Sequence, residues 1–175
     1  MPELGTIWLT VQNFIDRGGP VLQIIFVVIS LMLALVIERV MYFRGQYKRD
    51  MRDVMEAWEA RTERKSWHAH QIRLAMISQV KEKLNQNVPL IRTLVAICPL
   101  CGLLGTVTGM IVVFDVMAYF GSGNARAMAS GVSRATIPTM AGMVGALIGV
   151  FAATFIERAV EKRAEQLEDH LTMDH

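Results

Sequence analysis

The sequence predicts an all-α polytopic membrane protein, with three transmembrane helices and helical extensions in the cytoplasm. Three observations predict it. First, residues 20–37 (PVLQIIFVVISLMLALVI), 93–114 (TLVAICPLCGLLGTVTGMIVVF) and 135–156 (ATIPTMAGMVGALIGVFAATFI) contain no charged residue. Each is close to the ~18–20 residues that carry a helix across a bilayer core. Second, the chain is 53% hydrophobic and 19% charged, only a little apolar for a soluble domain, so clustering rather than composition decides the class. Third, twelve Lys and Arg residues lie between the first and second runs, from Arg39 to Arg92, against Arg17 before the first run and Arg126 in the turn after the second. The positive-inside rule then places the 38–92 segment and the C-terminal tail in the cytoplasm and the N-terminus outside.

Residues 1–19 read as a short amphipathic helix. Leu4, Ile7, Trp8, Val11, Phe14 and Ile15 recur at helical spacing, with Glu3, Gln12, Asn13, Asp16 and Arg17 on other faces. Such a helix suits the outer membrane interface, and it ends at Gly18-Gly19-Pro20. The first apolar run, 20–37, is expected to be a retained span and not a cleaved signal, because no basic n-region precedes it and no small-residue cleavage site follows. Residues 38–92 read as a hairpin of two charged helices. Phe43, Tyr47, Met51, Val54, Met55 and Trp58 stripe the first, and Met76, Ile77, Val80, Leu84, Val88 and Ile91 the second. The pattern lapses over residues 64–69. The second span covers 93–118, a short outer turn and helix start 119–134, the third span 135–156, and a charged helical tail 157–175. Acids alternate with bases through these extensions, which describes solvated helix faces and no nucleic-acid surface. No repeat or second domain is visible.

Chemistry within the spans is sparse. Gly102, Gly105 and Gly109 are spaced three and then four apart, and Gly142, Gly145 and Gly149 repeat the spacing. Each set is a smooth strip that lets another helix backbone approach closely in lipid, and packing of the second and third spans on each other accounts for most of it. Thr106, Thr108, Thr136 and Thr139 are the main hydroxyls at membrane depth. Each can bond to its own helix backbone, so packing alone is an open reading for them. No Asp or Glu interrupts the three runs; Asp115 and Glu157 stand only at the ends. A proton path through this chain would need a carboxylate from a partner.

These same residues carry a resemblance. PLCGLLGTVTGMI followed by GVSRATIPTMAGMVGALIG resembles the two pore-lining helices of the MotA/TolQ/ExbB proton-channel family, across residues 88–158. Three spans, an outside N-terminus and a short chain resemble the ExbB and TolQ branch more than the longer, four-span flagellar stator subunits. The resemblance implies a pentamer around two transmembrane helices of an ExbD-like subunit that supplies a transmembrane aspartate. It also implies that Thr106 and Thr139 face that aspartate. Three helices of one chain are too few to enclose two others, so the enclosure must be a ring of copies. The implied work is use of the proton motive force at the bacterial inner membrane to energise a TonB-like protein. A TolQ-like role in the Tol-Pal system of envelope integrity and division is the alternative.

One position departs from the family pattern. Arg134 stands where many members have glutamate, and a permanently charged guanidinium cannot relay protons as an acid. It is expected instead to contact a partner's acid or a phospholipid headgroup. Cys98 and Cys101 form a C-x-x-C, which leaves a membrane thiol oxidoreductase as a rival reading; small packing residues fit a helix in lipid better. His68 and His70 alone do not define a metal site. No catalytic constellation, metal or cofactor is expected, and a purely structural scaffold is the remaining rival.

Overall fold

The computed structural model describes residues 3–63, 66–121 and 125–170, and they form five helices. These are α1 (Glu3–Arg44), α2 (Gln46–Glu59), α3 (Trp67–Asn85), α4 (Val88–Phe120) and α5 (Ala125–His170). Among the described residues, three stretches are long and apolar enough to cross a membrane: Gly18–Arg44, Trp67–Tyr119 and Ala125–His170. The all-α class read from the sequence is what the chain adopts.

The helix breaks sit where backbone chemistry puts them. Gly19 has φ 68°, ψ −167° inside α1, a conformation open to glycine and costly for other residues, and Pro20 follows it without an N–H to donate. The amphipathic stripe from Leu4 to Ile15 lies outside the described side chains, although its backbone is helical. Gly45 separates α1 from α2, and Asn87 at φ 65° separates α3 from α4. Asn is among the few side chains that tolerate this left-handed region. The lapse expected over 64–69 meets the α2–α3 connection only in part, since residues 67–69 already belong to α3. Arg64 and Lys65 lie outside the described residues, and α3 starts just after Ser66, whose hydroxyl accepts a hydrogen bond from Ala69 N at 3.2 Å.

The chain divides into two compact units. One holds residues up to Leu33 with Thr93–Val150; the other holds Ala34–Arg92 with the chain from Phe151. The first, the membrane unit, is packed through its glycines. A methyl group added to Gly142 would stand 2.5 Å from Cys98 O, and one on Gly109 2.6 Å from Ala135 Cα. One on Gly102 would stand 3.0 Å from Thr139 Cα. These three hold α4 against α5. The other three glycines receive α1 as well: Gly105 meets Val21 and Pro138, Gly145 meets Ile29, and Gly149 meets Met32 and Val95. So the strips serve a three-helix packing, more than the hairpin alone.

The second unit buries the two stripes read from the sequence. Phe43, Tyr47 and Trp58 are buried from the first, and Val80, Leu84, Val88 and Ile91 from the second, with Ile156, Val160 and Leu167 of α5. It also buries something the stripes do not announce. Arg39 is 2% exposed. Its guanidinium donates to Lys83 O at 3.0 Å, reaches Glu38 at 3.3 Å and lies over the Tyr42 ring at 5.1 Å. Glu38 in turn accepts from Asn87 Nδ2 at 3.1 Å. The end of α3 and its left-handed exit are thus tied to α1 by one arginine and its neighbour. Nearby, the Arg163 guanidinium lies 4.4 Å from the Phe43 ring and 4.9 Å from Tyr47, whose hydroxyl donates to Arg163 O. Burial pushes the Tyr47 hydroxyl up from its ordinary range.

Candidate functional site

Thr106 on α4 and Thr139 on α5 come together. Their hydroxyl oxygens are 3.3 Å apart, and both residues are half-buried. A threonine at an ordinary helix contact would not reach its opposite number so easily. Here Gly102, one turn before Thr106, has no side chain, and the backbone of Thr139 comes in against it. That closeness lets Thr139 Oγ1 donate to Gly102 O at 2.8 Å, across the two helices. Thr106 Oγ1 donates to Leu103 O of its own helix at 2.7 Å. The glycine strip and the threonine pair are therefore one construction.

With each proton lent to a carbonyl, the lone pairs of both hydroxyls remain able to accept. Rotation of either hydroxyl about its C–O bond exchanges the carbonyl for another acceptor at small cost. The pair can then donate to an ionised acid or accept from a protonated one, which suits a neighbour that changes charge state. No acid of this chain's described residues bonds to it. Asp115 is exposed near the end of α4, and Glu157 pairs with Arg92, its Oε2 accepting from Nη2 at 2.8 Å.

Thr108 and Thr136 behave differently. Thr108 donates to Leu104 O at 3.0 Å and Thr136 to Ser133 O at 3.0 Å, both within their own helices, and both residues are exposed. Arg134 does not join the threonine pair. It lines a cavity with Pro20, Thr108, Val112 and several glycines, on a different face of α4. Cys98 is fully buried, Cys101 half-buried, and both are free thiols; the Cys98 carbonyl stands against Gly142, and its Sγ lies on the side of Gly145. Among the described residues, no group of three or more His, Cys, Asp or Glu could hold a metal ion.

The pattern of helices and the site now meet an independent comparison. The chain matches the MotA/TolQ/ExbB proton channel family over residues 36–169, more than half its length. The chain belongs to that family. It is a multi-pass membrane protein of a channel-forming kind. A Synechocystis protein, whose name describes it as an ExbB-like biopolymer transport protein, is 35% identical over 89 residues. That match covers 49% of this chain and 34% of the relative, so the chain spans well under two thirds of the relative's length.

The sequence had brought out Thr106, Thr139 and the six glycines, and the structure places all eight in the α1–α4–α5 packing or at the threonine contact. It gave no sign of the Arg39 contacts. The only available signal was position: Glu38-Arg39 directly follows an uncharged run, and a charge there commonly marks the membrane boundary instead.

Proposed function

We propose that this chain is the ring-forming subunit of an ExbB-like proton channel. It works in the bacterial inner membrane with an ExbD-like subunit, and it energises a TonB-like protein for outer-membrane transport. Several copies, five by the family resemblance, surround the partner's transmembrane helices. The observation that carries this reading is the Thr106–Thr139 pair: two hydroxyls 3.3 Å apart at membrane depth, in a proton channel family, with no acid of their own. The partner's aspartate supplies the titrating group, and the two hydroxyls solvate its charged form where water is scarce.

The mechanism follows from charge balance. An aspartate buried among apolar helices is driven toward its protonated form, because desolvation penalises the anion. Donation from Thr106 and Thr139 offsets part of that penalty. The acid can then lose its proton toward the cytoplasmic side and take another from the outside. Each change of charge alters which subunit's hydroxyls the acid prefers, and a ring of identical sites converts that preference into movement of the enclosed helices. The 38–92 segment and the tail stand on the cytoplasmic side in this reading.

The cellular test is the double change Thr106→Val, Thr139→Val. Valine keeps the shape and removes the donors. The variant is expected to co-purify with its partner at the ordinary level while TonB-dependent nutrient uptake is lost. Normal uptake by an assembled double variant would show that the threonines serve packing only.

A further inference from the structure

The cavity beside Arg134 lies entirely within the membrane unit and takes no part in the threonine site. Its volume is about 330 Å³. It forms where α1 kinks at Gly19 and where Gly105, Gly109 and Gly131 present no side chains. On α4 its wall is made by residues 105, 108, 109 and 112, the spacing of a single helix face. Thr106 stands about 100° round from Gly105 at the helical repeat. The centre of this wall, between Thr108 and Gly105, thus lies on another face of α4 than Thr106.

Depth and chemistry say what the cavity fits. Pro20 opens the first apolar run, Arg134 immediately precedes the third, and Val112 is two residues from the end of the second. The cavity thus sits where hydrocarbon gives way to headgroups, at the end of the unit that carries Gly18 and Arg134. Its lining is apolar apart from Thr108 and Arg134, and Thr108 already gives its proton to backbone carbonyls. An apolar slot of this kind holds water poorly, since water needs several polar partners. The single charge is a guanidinium, which never loses its proton and has five donors in a planar fork. It can hold a phosphate oxygen beside any other bond it makes.

We propose that this cavity is a binding site for an anionic phospholipid, with an acyl chain in the slot of Pro20 and Val112 and the phosphodiester on Arg134. The site rests on the membrane-spanning reading and is independent of proton conduction. Its charge complementarity selects an anionic lipid over a zwitterionic one, because a choline group carried beside the phosphate opposes the guanidinium. The slot selects a lipid over free phosphate.

Native mass spectrometry of the delipidated, assembled complex tests this. Equimolar phosphatidylglycerol and phosphatidylcholine are added, and lipid retained per chain is read from the same peaks that report the oligomer. The wild type is expected to hold phosphatidylglycerol at least fivefold over phosphatidylcholine. Arg134→Gln should assemble and lose that preference. Val112→Phe, which fills the slot and leaves the charge, should lower retention of both lipids. Millimolar inorganic phosphate should displace neither. Equal retention by the wild type, a preference that survives Arg134→Gln, unchanged retention in Val112→Phe, or displacement by phosphate alone would each overturn the proposal. Loss of proton flux or nutrient uptake in the threonine variants has no bearing on these readings, so the two ideas fail separately.

Discussion

The membrane unit and the second unit solve the same packing problem with opposite materials. In the first, helices meet through Gly102, Gly109 and Gly142, and Thr139 donates to Gly102 O across the α4–α5 contact. In the second, the joints are made by Arg39, Arg163 and aromatic rings. Lipid explains the first choice. Apolar burial gives no advantage between helices already in hydrocarbon, so close backbone approach and dispersion must hold them. Beyond the apolar runs water is present, long side chains can bury their stems, and a guanidinium can satisfy helix-end carbonyls. A joint of small residues fails when something is added. A joint of large charged residues fails when something is removed.

That contrast predicts a largest effect for Gly142→Leu. All the atoms nearest an added methyl there are backbone: Cys98 O, Gly102 Cα and Cys98 C. No flexible side chain can yield, so the cost should lie at or above the top of the ~1–3 kcal/mol usual for overpacking. The expected result is loss of the assembled complex on a native gel. A normal oligomer would mean that α4 and α5 are not held by this contact.

Arg39→Ala should come next, and it tests the other half of the comparison. It leaves Lys83 O without its donor and empties the space between Glu38 and Tyr42. A hydrogen bond from a charged donor typically contributes ~1.5–3 kcal/mol. Thermal unfolding in detergent should start several degrees lower, with faster proteolysis in the exposed connection around residues 61–63. Unchanged protection there would remove Arg39 from the role of joint.

The smallest effect should come from Ser66→Ala. The hydroxyl caps α3 by accepting from Ala69 N, and losing such a cap costs about 1 kcal/mol. Local hydrogen exchange at Ala69 should rise while the oligomer stays intact. An equally large loss of assembly would show that this cap does more than hold the first turn of α3.

How far the sequence disclosed this molecule follows the same division. Spans, glycine strips and the threonine candidates were legible because lipid imposes simple rules: uncharged length, small residues at contacts, and few hydroxyls from which to choose. Only α1's share of the strips was unread, since spacing on α4 and α5 does not say which neighbour Gly145 or Gly149 will meet. In the second unit the stripes were legible by periodicity, and Phe43, Tyr47 and Leu84 are indeed buried. Arg39 and Arg163 were not, because an arginine that caps a distant carbonyl or lies on two rings looks in sequence like any solvated charge. The Thr106–Thr139 contact lies between these cases. Each residue could be picked out, but their contact depends on how Gly102 lets the two backbones close.

The central claim is that those two hydroxyls serve a proton path, and proton flux measures it most directly. The chain, together with the aspartate-bearing partner proposed for it, would be reconstituted into liposomes holding a pH-sensitive dye, and a potassium–valinomycin potential applied. Wild-type complex should acidify the vesicles. Thr106→Val, Thr139→Val, reconstituted at the same density and in the same oligomer, should fall at least tenfold, with each single variant between the two. Flux equal to wild type from the assembled double variant would contradict the account.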